Sequence, residues 1–213
     1  MIWLITTFSS SIGKKLLMAI TGLGFIGFLT VHLIGNLTLY SGQPLFTSYV
    51  KHLHTLGPLI TLAELGLLFL AVIHILIGTL LFYENLMARP VRYKTNKSAG
   101  GRTIGSATQP YTGFVILAFV IVHLLDFHFA EHTDDSLYML ISSAFSNPIY
   151  VGIYIIAMIA VALHISHGFW SLFQTLGANH PKYMPFVQRL GIVVSLVFGI
   201  AFGFIPLFIS FIA

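Results

Sequence analysis

The sequence predicts an all-α membrane protein of five transmembrane helices, and three observations lead there. Of the 213 residues, 57% are hydrophobic and only 8% charged, whereas an ordinary soluble domain is about 25% charged. So little polar material cannot cover a water-facing surface, and most of the outside must face lipid. Second, the apolar residues gather into runs long enough to cross a bilayer core, which takes about 20 residues of helix. Third, no run shows the short alternating pattern of a membrane barrel, and in lipid only helices and closed barrels satisfy the backbone. Five spans with their connections use up the chain as one domain, residues 1–213, and leave no large extramembrane part.

The first span covers about residues 12–40. Lys14 and Lys15 precede its apolar stretch, which outruns a signal-peptide core and is followed by no small-residue cleavage site, so it is expected to remain. The second span (58–86) opens on Pro58, the third (110–130) on Pro110 and the fourth (148–176) on Pro148. Proline in a first turn costs little, because the missing N–H has no helical partner there. The fifth span (190–213) instead carries Pro206 in its interior. No internal repeat is visible.

Charge sets the orientation. Lys14 and Lys15 before the first span, Arg89, Arg92, Lys94, Lys97 and Arg102 after the second, and Lys182 and Arg189 after the fourth place nine of the ten basic residues on one side. The opposite connections hold Lys51 with Glu131, Asp134 and Asp135. Short loops rich in Lys and Arg stay cytoplasmic, so the N-terminus is expected inside and the C-terminus outside. The stretch from Tyr93 to Thr108 is too polar to fold alone, and a cytoplasmic partner is expected to order it. The absence of cysteine excludes disulfides, cysteine-ligated zinc, thiolate-held iron–sulfur clusters and covalent c-type haem. The net charge of +4 reflects sidedness, and nothing supports nucleic-acid binding.

Ionisable residues inside spans are costly and mark function by default. Here they are His32, Glu64, His74, His123, Asp126, His164 and His167. Counted inward from the outer ends at 1.5 Å per residue, His32 and His123 lie about 12 Å deep and His74 and His164 about 24 Å deep. The first and third spans thus supply an outer pair, the second and fourth an inner pair. In a four-helix bundle, cofactor ligands project inward from facing helices, so each pair can hold one haem iron from both faces. With both axial positions filled, the chemistry is electron transfer, along two stacked haems across the bilayer. A single intramembrane histidine is as well explained by an interhelical hydrogen bond; four, one per helix and matched in depth, are not. Gly22, Gly24, Gly27 and Gly35 near His32 would give a macrocycle room, or serve close helix packing. His167, one turn from His164, could hydrogen-bond a propionate or replace His164, which depth favours. His128, near the outer interface, and His52, His54, His132 and His180 in connections are read as solvated or locally bonded.

Two segments carry a resemblance. SSSIGKKLLMAITGLGFIGFLTVHLIGNL, from Ser9 to Leu37, and HISHGFWSLFQTLGANHPKY, from His164 to Tyr183, resemble the di-haem cytochrome b membrane-anchor subunit of succinate dehydrogenase and quinol:fumarate reductase, a likeness that extends over the whole chain. It implies two b-type haems, the proximal on His74 and His164 and the distal on His32 and His123. It also implies a flavoprotein and an iron–sulfur subunit on the cytoplasmic side, and menaquinone as the electron-exchanging substrate in the bacterial cytoplasmic membrane. The anchor itself would not touch the dicarboxylate. A glutamate that some family members carry two residues before the fourth ligand is absent, the position being Ala162.

Quinol oxidation releases protons and needs an acceptor. Glu64, about 9 Å deep and near the level of the outer pair, is nominated with His54 and Asp126 as neighbours. Propionate donors could come from Ser9, Ser10, Lys14, Lys15 or Gln174. Cytochrome b subunits of nitrate reductases, hydrogenases or formate dehydrogenases typically put two histidines on one helix, unlike this chain. A haem-free proton or metal transporter is expected to show broken helices or an inverted repeat, and a purely structural anchor leaves the histidine layers unexplained.

Overall fold

A computed structural model describes residues 6–7, 9–88 and 103–212. Among them, five helices are long and apolar enough to cross a membrane, and there is no strand. In chain order these are α1 (Ser11–Asn36, continued as a 3₁₀ turn to Ser41), α3 (Pro58–Met87), α4 (Ile104–His123), α6 (Pro148–Thr175) and α7 (Met184–Ile212). Two shorter helices, α2 (Gln43–His54) and α5 (Leu137–Phe145), fill the connections after the first and third spans. The basic residues from Arg89 to Arg102, and most of the stretch expected to await a cytoplasmic partner, lie outside the described residues.

The spans start where local chemistry caps them. Ser10 accepts from the Gly13 amide at the head of α1, as a serine N-cap does. Asn147 caps α6, accepting from the Ile149 amide, with Pro148 in the first turn. The third span departs from the sequence expectation: it begins at Ile104, and Pro110 lies inside it. Thr103 and Ser106 form a reciprocal capping box, with Thr103 Oγ1 accepting from the Ser106 amide and Ser106 Oγ from the Thr103 amide. This box fixes the helix start ahead of the proline. The fifth span likewise begins earlier than read, at Met184, and takes Arg189 into its first turns. Gly42 and Gly57, with φ of 86° and 51°, turn the chain into α2 and α3.

Helix α6 is the centre of the bundle, with eight buried residues from Val151 to Leu172, and it packs most extensively on α7, then on α4 and α1. Gly199 permits the close approach of α7, since a Cβ there would stand 2.8 Å from that of Ala162. Helix α3 differs: it lies along α1, barely meets α4, and has no buried residue. Side chains bridge α3 to the α4–α6 pair, with Phe82 meeting Tyr111 and Phe114 of α4. One apolar cluster, including Leu33, Ala157, Val161 and Phe198, fills the middle of the bundle. A second joins α2 and α5 to the outer ends of α6 and α7 through Phe46, Val50, Phe145, Tyr154 and Ile209. The two short helices thus close the outer end.

Candidate functional site

The four histidines separated by depth meet in two pairs. His74 on α3 and His164 on α6 face one another with ring centroids 6.4 Å apart and planes at 59°. His32 on α1 and His123 on α4 do so at 6.0 Å and 89°. Imidazoles that bind one metal from opposite faces have centroids about 6.3 Å apart, given a metal–nitrogen bond of about 2 Å on each side. Both pairs meet that requirement, so the residues fit a bis-imidazole haem at each level. No group of three or more His, Asp or Glu side chains suited to a bare metal ion occurs among the described residues. The donor set is pairs of neutral nitrogens, suited to an iron whose equatorial positions a macrocycle supplies.

The second ring nitrogen of three of these histidines is engaged. Thr21 Oγ1 lies 2.8 Å from His74 Nδ1, Thr112 Oγ1 3.2 Å from His164 Nδ1, and Tyr154 Oη 3.1 Å from His123 Nδ1. Nδ1 anchored by an oxygen leaves Nε2 as the free ring nitrogen, the usual arrangement of a ligating imidazole. Phe28 stacks on His32 at 5.1 Å, and Phe119 on His123 at 5.6 Å. Sequence reasoning passed over both threonines, yet a signal was there: Thr-Gly, eight residues, then Val-His occurs from Thr21 to His32 and again from Thr112 to His123. The two stretches share this spacing and little else, so no internal repeat drew attention to them.

The glycines divide by role. Leu70 of α3 would stand 2.8 Å from a Cβ at Gly24, and the Tyr49 ring of α2 occupies the face of Gly35, so these two serve helix packing. Gly22 borders His74 Cε1, 3.8 Å from where its Cβ would be, and Gly27 has nothing within 4 Å. His167 does not face His74; its ring meets Trp170 edge-on at 4.9 Å, and its buried Nδ1 has no hydrogen-bond partner. Lys14, one of the proposed propionate donors, pairs with Glu84 across the inner ends of α1 and α3.

The three residues nominated for proton chemistry take separate partners. His54 Nδ1 lies 2.7 Å from Asp134 Oδ1, and Asp126 Oδ2 accepts from Tyr150 Oη at 2.8 Å. Glu64 lies nearest His128, Oε1 to Nδ1 4.0 Å, both about half exposed. A π-helical turn from Leu124 to His128 ends the third span, with the Phe129 amide bonding the Leu124 carbonyl. This extra residue in the turn is a device frequent at functional sites, and here it carries both Asp126 and His128. A π turn has no periodic signature, so His128 read as an isolated interface residue.

No family model and no solved structure matches the chain significantly. Among curated proteins, it is 24% identical over 181 residues to the succinate dehydrogenase cytochrome b558 subunit of Bacillus subtilis (strain 168). The alignment covers 84% of this chain and 85% of the relative. The chain is thus similar, over most of both lengths, to a succinate dehydrogenase cytochrome b subunit, the family that its two motif segments resemble.

Proposed function

We propose that the chain is the membrane anchor and di-haem electron-transfer subunit of a succinate:quinone or quinol:fumarate oxidoreductase in the bacterial cytoplasmic membrane. The observation that carries this reading is the pair of facing imidazole couples, 6.0 and 6.4 Å between centroids, on four different helices of a chain similar to such a subunit. His74 and His164 would hold the proximal haem, nearer the cytoplasmic flavoprotein and iron–sulfur subunits, and His32 and His123 the distal one. The bound haems supply one-electron transfer between those subunits and a membrane quinone, taken to be menaquinone. Everything else falls to the protein. The helices hold the imidazoles of His74, His164 and His123 by Nδ1, and aromatic rings exclude water from the outer couple. The α2 and α5 helices seal the bundle's outer end.

Proton exchange with the quinone is assigned to the outer rim. Glu64 with His128 offers a carboxylate and an imidazole on facing helices at the lipid-accessible edge, where an apolar quinone can approach. A carboxylate so placed takes up a proton as quinol is oxidised, and the neighbouring imidazole passes it outward. His54 and Asp126 stay in the proposal as flanking groups, bonded to Asp134 and Tyr150, on the route from that edge to the outer surface.

The test is a redox-monitored optical spectrum with a pyridine haemochrome assay on wild type, His32→Ala and His74→Ala. Two b-type haems of different midpoint potential are expected, one lost in each variant. One haem indifferent to both changes, or none, returns the histidines to structural or proton-carrying roles.

A further inference from the structure

Resting on the di-haem reading, we propose that two Thr-Gly pairs, Thr21-Gly22 on α1 and Thr112-Gly113 on α4, are matched seats that fix the tautomer and orientation of His74 and His164. Both threonines are buried, at 2% and 7% exposure, in a protein with few buried polar side chains. A hydroxyl has one proton to give. Thr21 gives its proton to the Leu17 carbonyl at 2.7 Å, and Thr112 gives its own to the carbonyl of Thr108 or Gln109, each at 3.1 Å. What faces each imidazole is then a lone pair, so Nδ1 must be the donor, at 2.8 and 3.2 Å. A neutral imidazole protonated on Nδ1 has a bare Nε2, and that is the nitrogen left to face the opposite ring.

A glycine borders each seat, where a Cβ would make ordinary contact with the ring. A Cβ at Gly22 would stand 3.8 Å from His74 Cε1, and one at Gly113 3.5 Å from His164 Cε1. Each ring edge therefore lies over bare backbone, one residue on from the hydroxyl that holds it. A buried threonine in a helix ordinarily bonds only the preceding turn. These two do that and reach an imidazole on the next span as well, and the arrangement occurs twice on separate helix pairs.

The shared spacing explains the placement. Eleven residues are close to three helical turns, so Thr21 and His32 share one stripe of α1, and Thr112 and His123 share one stripe of α4. The first and third spans thus each offer an outer ligand and an inner seat, and the second and fourth each bring the imidazole that sits in it. A donated Nδ1 hydrogen bond raises the basicity of the ligating nitrogen and so favours the oxidised metal. The threonines are positioning residues that hold the inner haem's potential down. The outer couple is treated differently: His123 has Tyr154 in that place.

The test uses the complex purified from membranes with Thr21→Val, Thr112→Val and the corresponding serine variants, read by potentiometry and electron paramagnetic resonance. The inner haem is identified as the component that His74→Ala removes. In each valine variant its oxidised-to-reduced ratio at fixed potential is expected to fall about tenfold, a positive shift of ~59 mV for a one-electron couple. The outer haem should stay put, and serine should restore the wild-type value. Should a valine variant lose the inner haem while serine keeps it, the hydroxyl is again the cause. Loss in both variants, equal movement of both haems, or an unmoved inner potential and resonance would overturn the seats. Retention of both haems by His74→Ala and His164→Ala would instead overturn the di-haem reading itself.

Discussion

Glu64 stands six residues inside the second span, where a carboxylate needs a reason, and the half-exposed His128 ring 4.0 Å away supplies a proton partner. Removing a positioned acid–base group costs about 10²–10⁴ in rate. Glu64→Gln is therefore expected to lower quinone-linked turnover of the complex about 100-fold while haem content and succinate oxidation with an artificial acceptor persist. An equal loss in both assays would place Glu64 in assembly. Tyr154→Phe removes the hydroxyl 3.1 Å from His123 Nδ1 and should move the outer haem's potential positive while the inner one stays. Potentiometry of the variant decides between this and a packing role, which would leave both potentials alone. At this scale the four histidines and Glu64 were legible in sequence because each is a polar group in a hydrocarbon run. Thr21, Thr112 and His128 were not, since threonine bonds its own helix at no cost and so raises no alarm.

The elements show how caps and small residues outrank composition. The capping box of Thr103 and Ser106 starts α4 before Pro110, against the expectation that proline would mark the first turn. Thr103→Ala should cost about 1 kcal/mol, seen as a lowered midpoint of thermal unfolding in detergent with the haem spectrum unaltered. Gly24 matters for packing: its missing Cβ leaves room for Leu70 Cδ1, 2.8 Å from where it would be. Gly24→Leu should force α1 and α3 apart at a cost of about 1–3 kcal/mol, and because His74 rides on α3 it should also lower inner-haem content. Gly66→Leu on α3, with nothing within 4 Å, is the matched control, and an equal effect there would remove the packing explanation. The helices α2 and α5 were invisible to a search for spans, both being too short to cross a membrane and α2 too polar as well. Their burial comes from contacts that only the folded chain creates, α2 with the 3₁₀ turn after α1 and with α5, and α5 with α6 and α7.

For the whole molecule, the expected sidedness follows from the nine basic residues that the sequence gathers before the first span, after the second and after the fourth. The chain has no cysteine, so single replacements can be labelled without background. Lys97→Cys should react with an impermeant maleimide only in inside-out vesicles and Asp135→Cys only in right-side-out ones; the reverse pattern would invert the bundle and exchange the proximal and distal assignments. The uneven packing is a property of the same scale. Helices α4, α6 and α7 form a dense block with α1 against it, and α3 lies along α1 with no buried residue. Its remaining contacts are few, among them the His74 ring against His164.

The sequence by itself determined the class and the five spans, and it set the expected orientation and the two expected histidine depths. Lipid makes these properties one-dimensional: hydropathy sets what crosses, charge sets which way, and the helical rise turns residue number into depth. The pairing of the imidazoles followed from depth along the sequence; how closely they face each other, which hydroxyls hold them, and which carboxylate meets which ring were decided by the tertiary structure. Rotation of each helix about its axis and the order of helices around the bundle come from side-chain packing between distant segments, and no periodicity along one span records its neighbour.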